Sequence, residues 1–251
     1  MGSDTTTHHQ FFYRLKYLGY LFTTFINIKF TKHLIVPSNY WRHFIINNYN
    51  SSPKNITTTY EAVDPHFIVS PIFIKKPQNY IIYTGNLYPH KNIDIILQVL
   101  TKLSHLRLKI ISPKNIFFDR LKQNINKVKL GNRVELLGYL NDSQFQEIYQ
   151  SAIALVHPSF YEGFSLTGLE AMALNCPVIA SNTTCIPEIY GDAALYFDPH
   201  HPQDLITQIN KLSSSLDLRQ KLIKLGQTQI KQYSWHKTAT QTFEIYRQLL
   251  S

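Results

Sequence analysis

The stretch of sequence that decides the fold is residues 153–180, which read IALVHPSFYEGFSLTGLEAMALNCPVIA. Its first four residues, Ile153–Val156, form a short apolar run of the kind found in buried strands, and Pro177–Ala180 form a second one. Between the two runs, a loop leads to apolar residues at helical spacing over 166–174. The pattern predicts a strand, a loop, a helix and a second strand, which is the repeating unit of a parallel sheet.

Strand-like and helix-like segments alternate on both sides of this unit. Further strands are predicted at Tyr80–Thr84, Leu106–Ile111, Val134–Leu137 and Leu195–Phe197. Helices are predicted over 95–103, 115–128 and 142–150 with Asp142 as a cap, around Pro187, and over 202–213, 216–231 and 235–250. This alternation predicts an α/β fold with a doubly wound, Rossmann-like parallel sheet. Ligands bind such sheets at the carboxyl ends of strands, so we expect a site at Gly85, Gly138 and the loop after Val156.

The first 56 residues follow a different pattern. They predict a helix over 10–30, a short strand at Leu34–Val36 and a helix over 40–49 capped by Ser38, before the turn-rich Asn50–Pro53. One strand and two helices cannot bury a core alone, so we divide the chain into residues 1–56 and 57–251. The first helix carries apolar residues that would form an exposed patch unless something covers them: Phe11, Phe12, Tyr17, Leu18, Leu21, Phe22, Phe25 and Ile26.

Composition excludes several classes of protein. Apolar residues make up 44% of the 251 residues, which is enough for a core and excludes general disorder. The two cysteines, Cys176 and Cys185, cannot form a disulfide framework, and no Cys/His spacing typical of a zinc site occurs. No apolar run approaches the ~18–20 residues that cross a bilayer, and no signal-peptide pattern is present. We therefore expect a cytoplasmic protein, with peripheral contact to the inner membrane face as an option.

The net charge of +9 is unevenly distributed. Basic residues dominate before residue 61 and again over 107–133, whereas residues 134–210 contain no Lys or Arg. Nucleic-acid sites interleave basic side chains with stacking aromatic rings on one face, and the run at 107–133 reads more simply as a solvated helix face, so we expect no nucleic-acid partner. The basic and apolar N-terminal stretch instead suits an acidic partner or an anionic membrane surface.

Two carboxylates stand on either side of a predicted helix start. Glu162 lies in the loop, and Glu170 follows it after seven residues, about one turn inside the helix. A helix N-terminus offers unpaired N–H groups and the positive end of a dipole, which suit a phosphate. Gly163 lets the backbone approach a ligand, and Ser165 or Thr167 can cap the helix. Glu170 is placed to accept hydrogen bonds from ribose hydroxyls and Glu162 from a sugar.

These residues carry a resemblance to a known family. The Glu162-x7-Glu170 spacing within PSFYEGF (158–164) resembles the signature of family 4 glycosyltransferases of the GT-B fold, which are retaining enzymes that use sugar nucleotides. Residues 83–92, YTGNLYPHKN, look like the phosphate loop of that family, and VELLGY (134–139) is similar to its base-reading loop. Further landmarks are CPVIA (176–180), IPE (186–188), GDAA (191–194), YSW (233–235), IVPS (35–38) and YEAVDP (60–65).

The resemblance implies that the chain is the C-terminal, donor-binding half of a GT-B glycosyltransferase, with residues 1–56 as a remnant of the N-terminal acceptor domain. Lys91 and the amides of residues 163–167 would stabilise the departing diphosphate, and Glu162 would orient the sugar. No cofactor or metal is expected, since no Asp-x-Asp sequence occurs. The expected catalytic residues are Glu162 and Lys91, and the expected donor-binding residues are Gly85, Asn86, Lys91, Gly138, Tyr139, Glu162, Gly163, Phe164, Ser165, Leu166, Thr167 and Glu170.

The chain also departs from the family pattern. The family often has Arg where Asn86 stands, which leaves Lys91 as the main cation on the phosphates, and Ser165 replaces a common Gly. His90 and His157 are interpreted as loop residues with local hydrogen-bond partners. A complete GT-B enzyme needs about 350 residues, more than this chain has.

Three functions stay open. In the first hypothesis, the chain transfers a sugar from a UDP- or GDP-sugar to a glycan or lipid-linked acceptor, and a second subunit supplies the acceptor domain. It is instead an inactive relic that binds only a nucleotide sugar. In the third hypothesis it is an interaction scaffold, which the joint presence of Lys91, Glu162 and Glu170 disfavours.

Overall fold

The computed structural model describes residues 4–68, 76–138 and 140–250, with side chains from residue 14 onward. The chain forms two compact units. One contains the chain up to Thr59 together with the segment from Thr240 onward, and the other is Tyr60–Ala239. Residues 57–59 and 240–251, which the sequence assigned to the second domain, therefore group with the N-terminal segment.

The first unit is built on two helices and two short strands. In chain order these are α1 (Asp4–Phe30), β1 (Leu34–Val36), α2 (Asn39–Tyr49) and β2 (Ile56–Thr58). The Ser38 side chain accepts a hydrogen bond from the N–H of Trp41, which confirms its predicted role as the cap of α2. The pairing of β2 with β1, parallel and with Ile56 opposite Leu34, was not predicted, because three residues are too few for an alternating pattern.

The second unit contains a six-stranded parallel sheet, as predicted. Its strands are β3 (Tyr80–Thr84), β4 (Arg107–Ile111), β5 (Val134–Leu137), β6 (Leu155–His157), β7 (Val178–Ser181) and β8 (Ala194–Phe197), in the spatial order β5-β4-β3-β6-β7-β8. The helices that follow the strands are α3 (Ile93–Lys102), α4 (Ile116–Lys127), α5 (Asp142–Ser151), α6 (Leu166–Ala173), α7 (Ile186–Tyr190), α8 (Pro202–Ser213), α9 (Leu216–Gln229) and α10 (Trp235–Leu250).

Both faces of this sheet are covered by helices. Along β3, Ile81 and Tyr83 lie in one buried apolar cluster and Tyr80 and Ile82 in the other, because successive side chains of a strand point to opposite faces. Strands buried on both faces are continuous apolar runs rather than alternating ones. This is why the short runs in the sequence predicted the sheet correctly.

Two predicted details are wrong. The cap of α5 is Asn141 rather than Asp142: the Asn141 side chain accepts from the N–H of Gln144, whose side chain accepts from the N–H of Asn141. Before the fourth strand, the carbonyls of Ala152 and Ile153 accept hydrogen bonds from the buried Arg219 guanidinium. This strand begins two residues later and ends one residue later than predicted. As a result His157 is the last residue of β6 rather than the first of the loop.

The strand order predicts a ligand-binding crevice between β3 and β6. The chain runs from β3 outward to β4 and β5, then returns to the other side of β3 to form β6. The loops that leave β3 and β6 therefore lie side by side at the carboxyl edge of the sheet. Such a reversal of strand order is where doubly wound sheets bind their ligands.

Helix α1 exposes many apolar side chains. Tyr17, Leu18, Leu21, Phe22 and Phe25 are all exposed, and Ile26 is half-buried. The side chains of Phe11 and Phe12 lie outside the described part of the chain. None of the described helices is long and apolar enough to cross a membrane.

Candidate functional site

Two direct contacts join the loops after β3 and β6, and a third joins the loop after β3 to the segment after β8. The N–H of Phe160 donates to the carbonyl of His90 at 2.8 Å. The side chain of Asn92 donates to the carbonyls of Pro158 (3.2 Å) and Pro199 (2.9 Å), and its backbone has the left-handed conformation (φ 53°) that Asn tolerates well. These contacts fix the short 3-10 turn Pro89–Lys91 against the second loop.

The carboxylate of Glu162 is held between two nitrogen donors. Its Oε1 lies 2.7 Å from Nζ of Lys91 and 2.8 Å from Nε2 of His157. Burial alone would raise the pKa of Glu162, but the hydrogen bonds and positive charges of His157 and Lys91 outweigh it and lower the pKa to about 2. Glu162 is therefore ionised at neutral pH, and its orientation is set before any ligand binds.

A buried tyrosine lies behind this pair. The hydroxyl of Tyr190 lies 2.7 Å from Nδ1 of His157, donates to the carbonyl of Ser165 at 2.8 Å and accepts from the N–H of Gly168 at 3.0 Å. Gly168 is required there, because any Cβ would collide with the Tyr190 ring. One hydroxyl thus connects β6 to the first turn of α6.

The start of α6 differs from the prediction. Ser165 occupies the cap position in a left-handed conformation (φ 82°), and its side chain makes no capping hydrogen bond. Thr167 does not cap the helix either, so both predicted caps are wrong. The Tyr190 hydroxyl takes the place of a capping side chain by accepting from Gly168, which is the third residue of α6.

Several backbone N–H donors lie together in the turn that leads into α6. Within the described part of the chain, the N–H groups of residues 163–167 have no hydrogen-bond acceptor. Gly163 and its N–H lie at the exposed surface, whereas Phe164 is buried against the rings of Tyr60 and Tyr233. Free N–H groups at a helix N-terminus attract anions, so the turn suits the phosphates that the sequence led us to expect.

Glu170 lies on α6 one turn beyond these donors, as predicted. None of the described residues donates a hydrogen bond to its carboxylate. Burial raises the pKa of Glu170, and the negative charge of Asp64 raises it further. Its carboxylate therefore has acceptor capacity that the described protein groups do not use.

The remaining expected site residues are distributed over two loops. Gly85 follows β3 at φ 134°, a conformation open to glycine, and its N–H donates to Ile111 across the sheet. The amide oxygen of Asn86 is buried and has no partner among the described residues, while its carbonyl accepts from the Tyr83 hydroxyl. Gly138 is exposed just after β5, two strands from β3, and Tyr139 lies outside the described residues.

Comparison with known proteins decides the family. The model of the family "Glycosyl transferases group 1" matches residues 67–229. The chain belongs to this glycosyltransferase family. O-antigen chain mannosyltransferase B of Escherichia coli is 32% identical over 232 residues, which are 87% of this chain and 61% of the relative. The chain thus spans less than two thirds of this relative's length.

Solved structures support the same fold. Sucrose-phosphate synthase from Thermosynechococcus elongatus superposes with a TM-score of 0.80 at 20% identity, covering 92% of this chain and 61% of that one. Alr3699/HepE from Anabaena, solved in complex with UDP and glucose, superposes with a TM-score of 0.73 at 18% identity, covering 90% and 65%. The fold of this glycosyltransferase is therefore GT-B-like, as expected.

The sequence did not single out three residues that contact the candidate site. They are Tyr190 and the pair Thr184–Cys185. Thr184 has a left-handed backbone (φ 49°), which is rare for a β-branched residue, and its hydroxyl accepts from the N–H of Glu162 at 3.2 Å. The thiol of Cys185 donates to the Glu162 carbonyl at 3.3 Å, and burial raises the pKa of this thiol to about 11. The contacts join residues that are 22–33 positions apart, so no local pattern reveals them.

The interpretation of both histidines as loop residues with local hydrogen-bond partners is only partly correct, because His157 is the last residue of β6. His90 stacks on Tyr88, and burial and the charge of Lys91 lower its pKa. His157 has local partners, Glu162 and Tyr190, yet one of these partners is an expected catalytic residue. Across the described ranges, no cluster of three or more His, Cys, Asp or Glu residues could hold a metal ion.

Proposed function

We propose that this chain binds a nucleoside-diphosphate sugar in the crevice between the loops after β3 and β6 and takes part in its transfer, with retention, to a glycan or lipid-linked acceptor. The observation that carries the proposal is the pre-oriented Glu162 between Lys91 and His157, directly before a turn of unpaired N–H groups. A sugar diphosphate needs both groups of contacts, because its sugar offers hydroxyls and its leaving group is an anion.

The diphosphate is bound and stabilised without a metal ion in this proposal. The N–H groups of residues 163–167 and the positive end of the α6 dipole face the charge that develops on the leaving group. Lys91 supplies a positive charge at the same place, since its Nζ already lies beside the Glu162 carboxylate. The amide of Asn86 supplies a neutral polar contact where a cation would bind more strongly.

The two carboxylates have separate partners on the donor. Glu162 accepts hydrogen bonds from the sugar hydroxyls, and its lowered pKa keeps it ionised for that purpose. Glu170 accepts from the ribose hydroxyls, which would supply the hydrogen bonds that none of the described groups gives it. The loop at Gly138 and Tyr139 then contacts the base. The UDP bound by the Anabaena protein supports a nucleotide in a fold of this kind.

The sugar acceptor binds outside the donor-binding part of the chain in this proposal. We assign residues 57–251 to the donor and residues 1–56 to acceptor binding, with a second subunit or a further domain completing the acceptor site. The exposed apolar residues of α1 support a surface that another body covers. The name of the E. coli relative supports mannose as the transferred sugar and a polysaccharide as the acceptor.

Calorimetric titration tests the donor proposal. UDP, GDP, UDP-glucose and GDP-mannose are titrated onto the chain in buffer containing EDTA, and repeated with Mg²⁺. We expect binding of at least one nucleotide in EDTA, with affinity unchanged by Mg²⁺. No binding of any of the four at millimolar concentration would overturn the proposal, and a strict requirement for Mg²⁺ would overturn its metal independence.

A transfer assay separates an active donor half from an inactive relic. The chain is mixed with the sugar nucleotide that binds best, with and without a candidate lipid-linked or glycan acceptor, and the released nucleoside diphosphate is measured. Acceptor-dependent release identifies a transferase. Binding without release under all conditions favours the relic.

A further inference from the structure

The hydroxyl of Tyr190 makes as many hydrogen bonds as a hydroxyl can. It has one proton to donate and two lone pairs that accept. The N–H of Gly168 can only donate to it, at 3.0 Å, and the carbonyl of Ser165 can only accept from it, at 2.8 Å. With its single proton directed to Ser165, the hydroxyl can only accept at its third contact, which is Nδ1 of His157 at 2.7 Å. His157 must therefore carry a proton on Nδ1.

The other ring nitrogen of His157 faces a carboxylate. Its Nε2 lies 2.8 Å from Oε1 of Glu162, an acceptor whose lowered pKa keeps it ionised at neutral pH. An unprotonated Nε2 would direct its lone pair at this negative oxygen, which is repulsive. Hydrogen-bond geometry thus requires a proton on Nε2 as well.

We propose that Tyr190 is a positioning residue that holds His157 as an imidazolium, and that this imidazolium is a second positive charge, beside Lys91, for the diphosphate of the donor. The first part rests on the hydrogen bonds of Tyr190 alone, whereas the second rests on the proposed function. The second charge would add to the single cation Lys91 beside Glu162, since Asn86 in the loop after β3 is neutral. It also explains why this chain places a Tyr hydroxyl, rather than a capping side chain, at the start of α6.

The titratable groups described around His157 each have a definite charge state near pH 7. Burial and the nearby charge of Glu162 raise the pKa of Tyr190, so it stays a phenol, and burial raises the pKa of the Cys185 thiol to about 11. Burial and Lys91 lower the pKa of His90, which favours its neutral form. The lowered pKa of Glu162 keeps it ionised across the neutral range, and Lys91 is its ion-pair partner. Near pH 7 the cluster therefore carries one negative and two positive charges, and anion binding is favoured.

The protonation state can be read directly from the ring nitrogens. Two-bond ¹H–¹⁵N correlation spectra are recorded on the full chain labelled at histidine, without nucleotide, with His157→Gln to assign the signal. We expect both nitrogens of His157 to be protonated at pH 7. A neutral ring with a bare Nδ1 would overturn the proposal, because Tyr190 would then donate to His157 and not to Ser165. This outcome does not depend on whether the chain binds nucleotides.

Tyr190→Phe removes the acceptor of the Nδ1 proton and leaves the ring in place. We expect His157 of this variant to be the neutral Nε2–H tautomer at pH 7, because its Nδ1 then has no hydrogen-bond acceptor. Tyr196→Phe is the matched control, since it removes a hydroxyl that donates to the Gly191 carbonyl at 2.6 Å and has no contact with His157. An unchanged His157 spectrum in Tyr190→Phe would overturn the positioning role.

Nucleotide affinity as a function of pH tests the second part. The nucleotide that binds best is titrated between pH 6 and 9 onto wild type, Tyr190→Phe and Tyr196→Phe. We expect the wild-type affinity to fall toward high pH, and the affinity of Tyr190→Phe at pH 7 to be lower than that of wild type by about tenfold, the effect of one charge-assisted contact. Equal pH profiles for all three proteins, together with a protonated His157 in the spectra, would refute its role as a phosphate charge.

Discussion

The pKa values of two carboxylates, one in the loop that ends at Ser165 and one in the helix that follows it, are shifted in opposite directions. Glu162 in the loop is contacted by Lys91 and His157, and its pKa is lowered to about 2. Glu170 in the helix receives no hydrogen bond from the described residues, and burial together with Asp64 raises its pKa. Seven residues separate these two carboxylates, and the protein stabilises the ionised form of Glu162 but destabilises that of Glu170.

The difference shows which contacts the fold supplies and which it leaves to a ligand. The orientation of Glu162 is set within the protein by charged donors, as expected of a group that must be in place when the sugar arrives. Burial and Asp64 disfavour the ionised form of Glu170, and a ligand hydroxyl that donates to its carboxylate would stabilise that form on binding. We therefore expect Glu162 to orient the sugar and Glu170 to increase the affinity for the nucleotide.

The largest expected effect concerns acid stability. Because the folded pKa of Glu162 is about 2 against an ordinary value of 4.5, its stabilisation is fully present above the ordinary value and is lost as pH falls toward 2. We expect chemical denaturation to show that wild type loses roughly 3 kcal/mol more than Glu162→Gln between pH 5 and 2. Glu135→Gln, which removes an exposed partner of Lys109, serves as the control. Equal losses in wild type and Glu162→Gln would mean that Glu162 is not held as an anion.

The next effect concerns the charge beside Glu162. Lys91→Met removes a cation from the proposed phosphate site, so we expect UDP or GDP to bind more weakly by ~1.5–3 kcal/mol in calorimetry. Lys109→Met is the matched control, because Lys109 pairs with Glu135 and lies over the Tyr80 ring, outside the contacts of Glu162. If both variants bind like wild type, Lys91 does not contact the phosphates.

A smaller effect of opposite sign is expected at Glu170. A raised pKa means that the folded state disfavours the anion, so the ionised side chain lowers stability at pH 7 and regains it as pH falls through the raised pKa. Glu170→Gln removes this charge and should stabilise the protein in urea denaturation at pH 7, without nucleotide. Glu162→Gln should destabilise it under the same conditions. Destabilisation by both substitutions would remove the contrast between the two carboxylates.

The smallest expected effect is that of Ser165, which lies between the two carboxylates, on the free energy of unfolding. Ser165 has a left-handed backbone, which favours glycine, and its side chain does not cap α6. Relief of backbone strain and loss of a side chain nearly cancel, so Ser165→Gly should raise the free energy of unfolding by less than about 1 kcal/mol, with nucleotide affinity unchanged. A large loss of affinity in calorimetry would show that the Ser165 side chain contacts the donor.

Much of the fold was predictable because its strands are short, apolar and buried on both faces. The runs at Tyr80–Thr84 and Pro177–Ala180 lie in β3 and β7 almost as predicted. The three-residue β2 was missed, since Ile56–Thr58 is too short and too polar to show a period. The caps were wrong where a distant group replaced the local one, as Tyr190 does at α6.

The candidate site was predictable only in its linear motifs. Glu162, Glu170 and Lys91 were identified from spacing and resemblance, and the structure places Lys91 against Glu162 at 2.7 Å. The opposite pKa shifts of the two carboxylates depend on Asp64, His157 and burial, which no spacing in the sequence encodes. Tyr190 was missed for the same reason, because its three contacts exist only after β6, α6 and α7 have packed.

The separate roles of the two carboxylates can be tested most directly by titrating Glu162→Ala and Glu170→Ala with a bare nucleoside diphosphate and with its sugar conjugate. The account predicts that Glu170→Ala weakens both ligands alike, because the ribose is common to them. Glu162→Ala should weaken only the sugar conjugate, each loss being about tenfold or more. If the two variants lose the bare nucleotide equally, the division between an oriented sugar contact and an unsatisfied ribose contact is wrong.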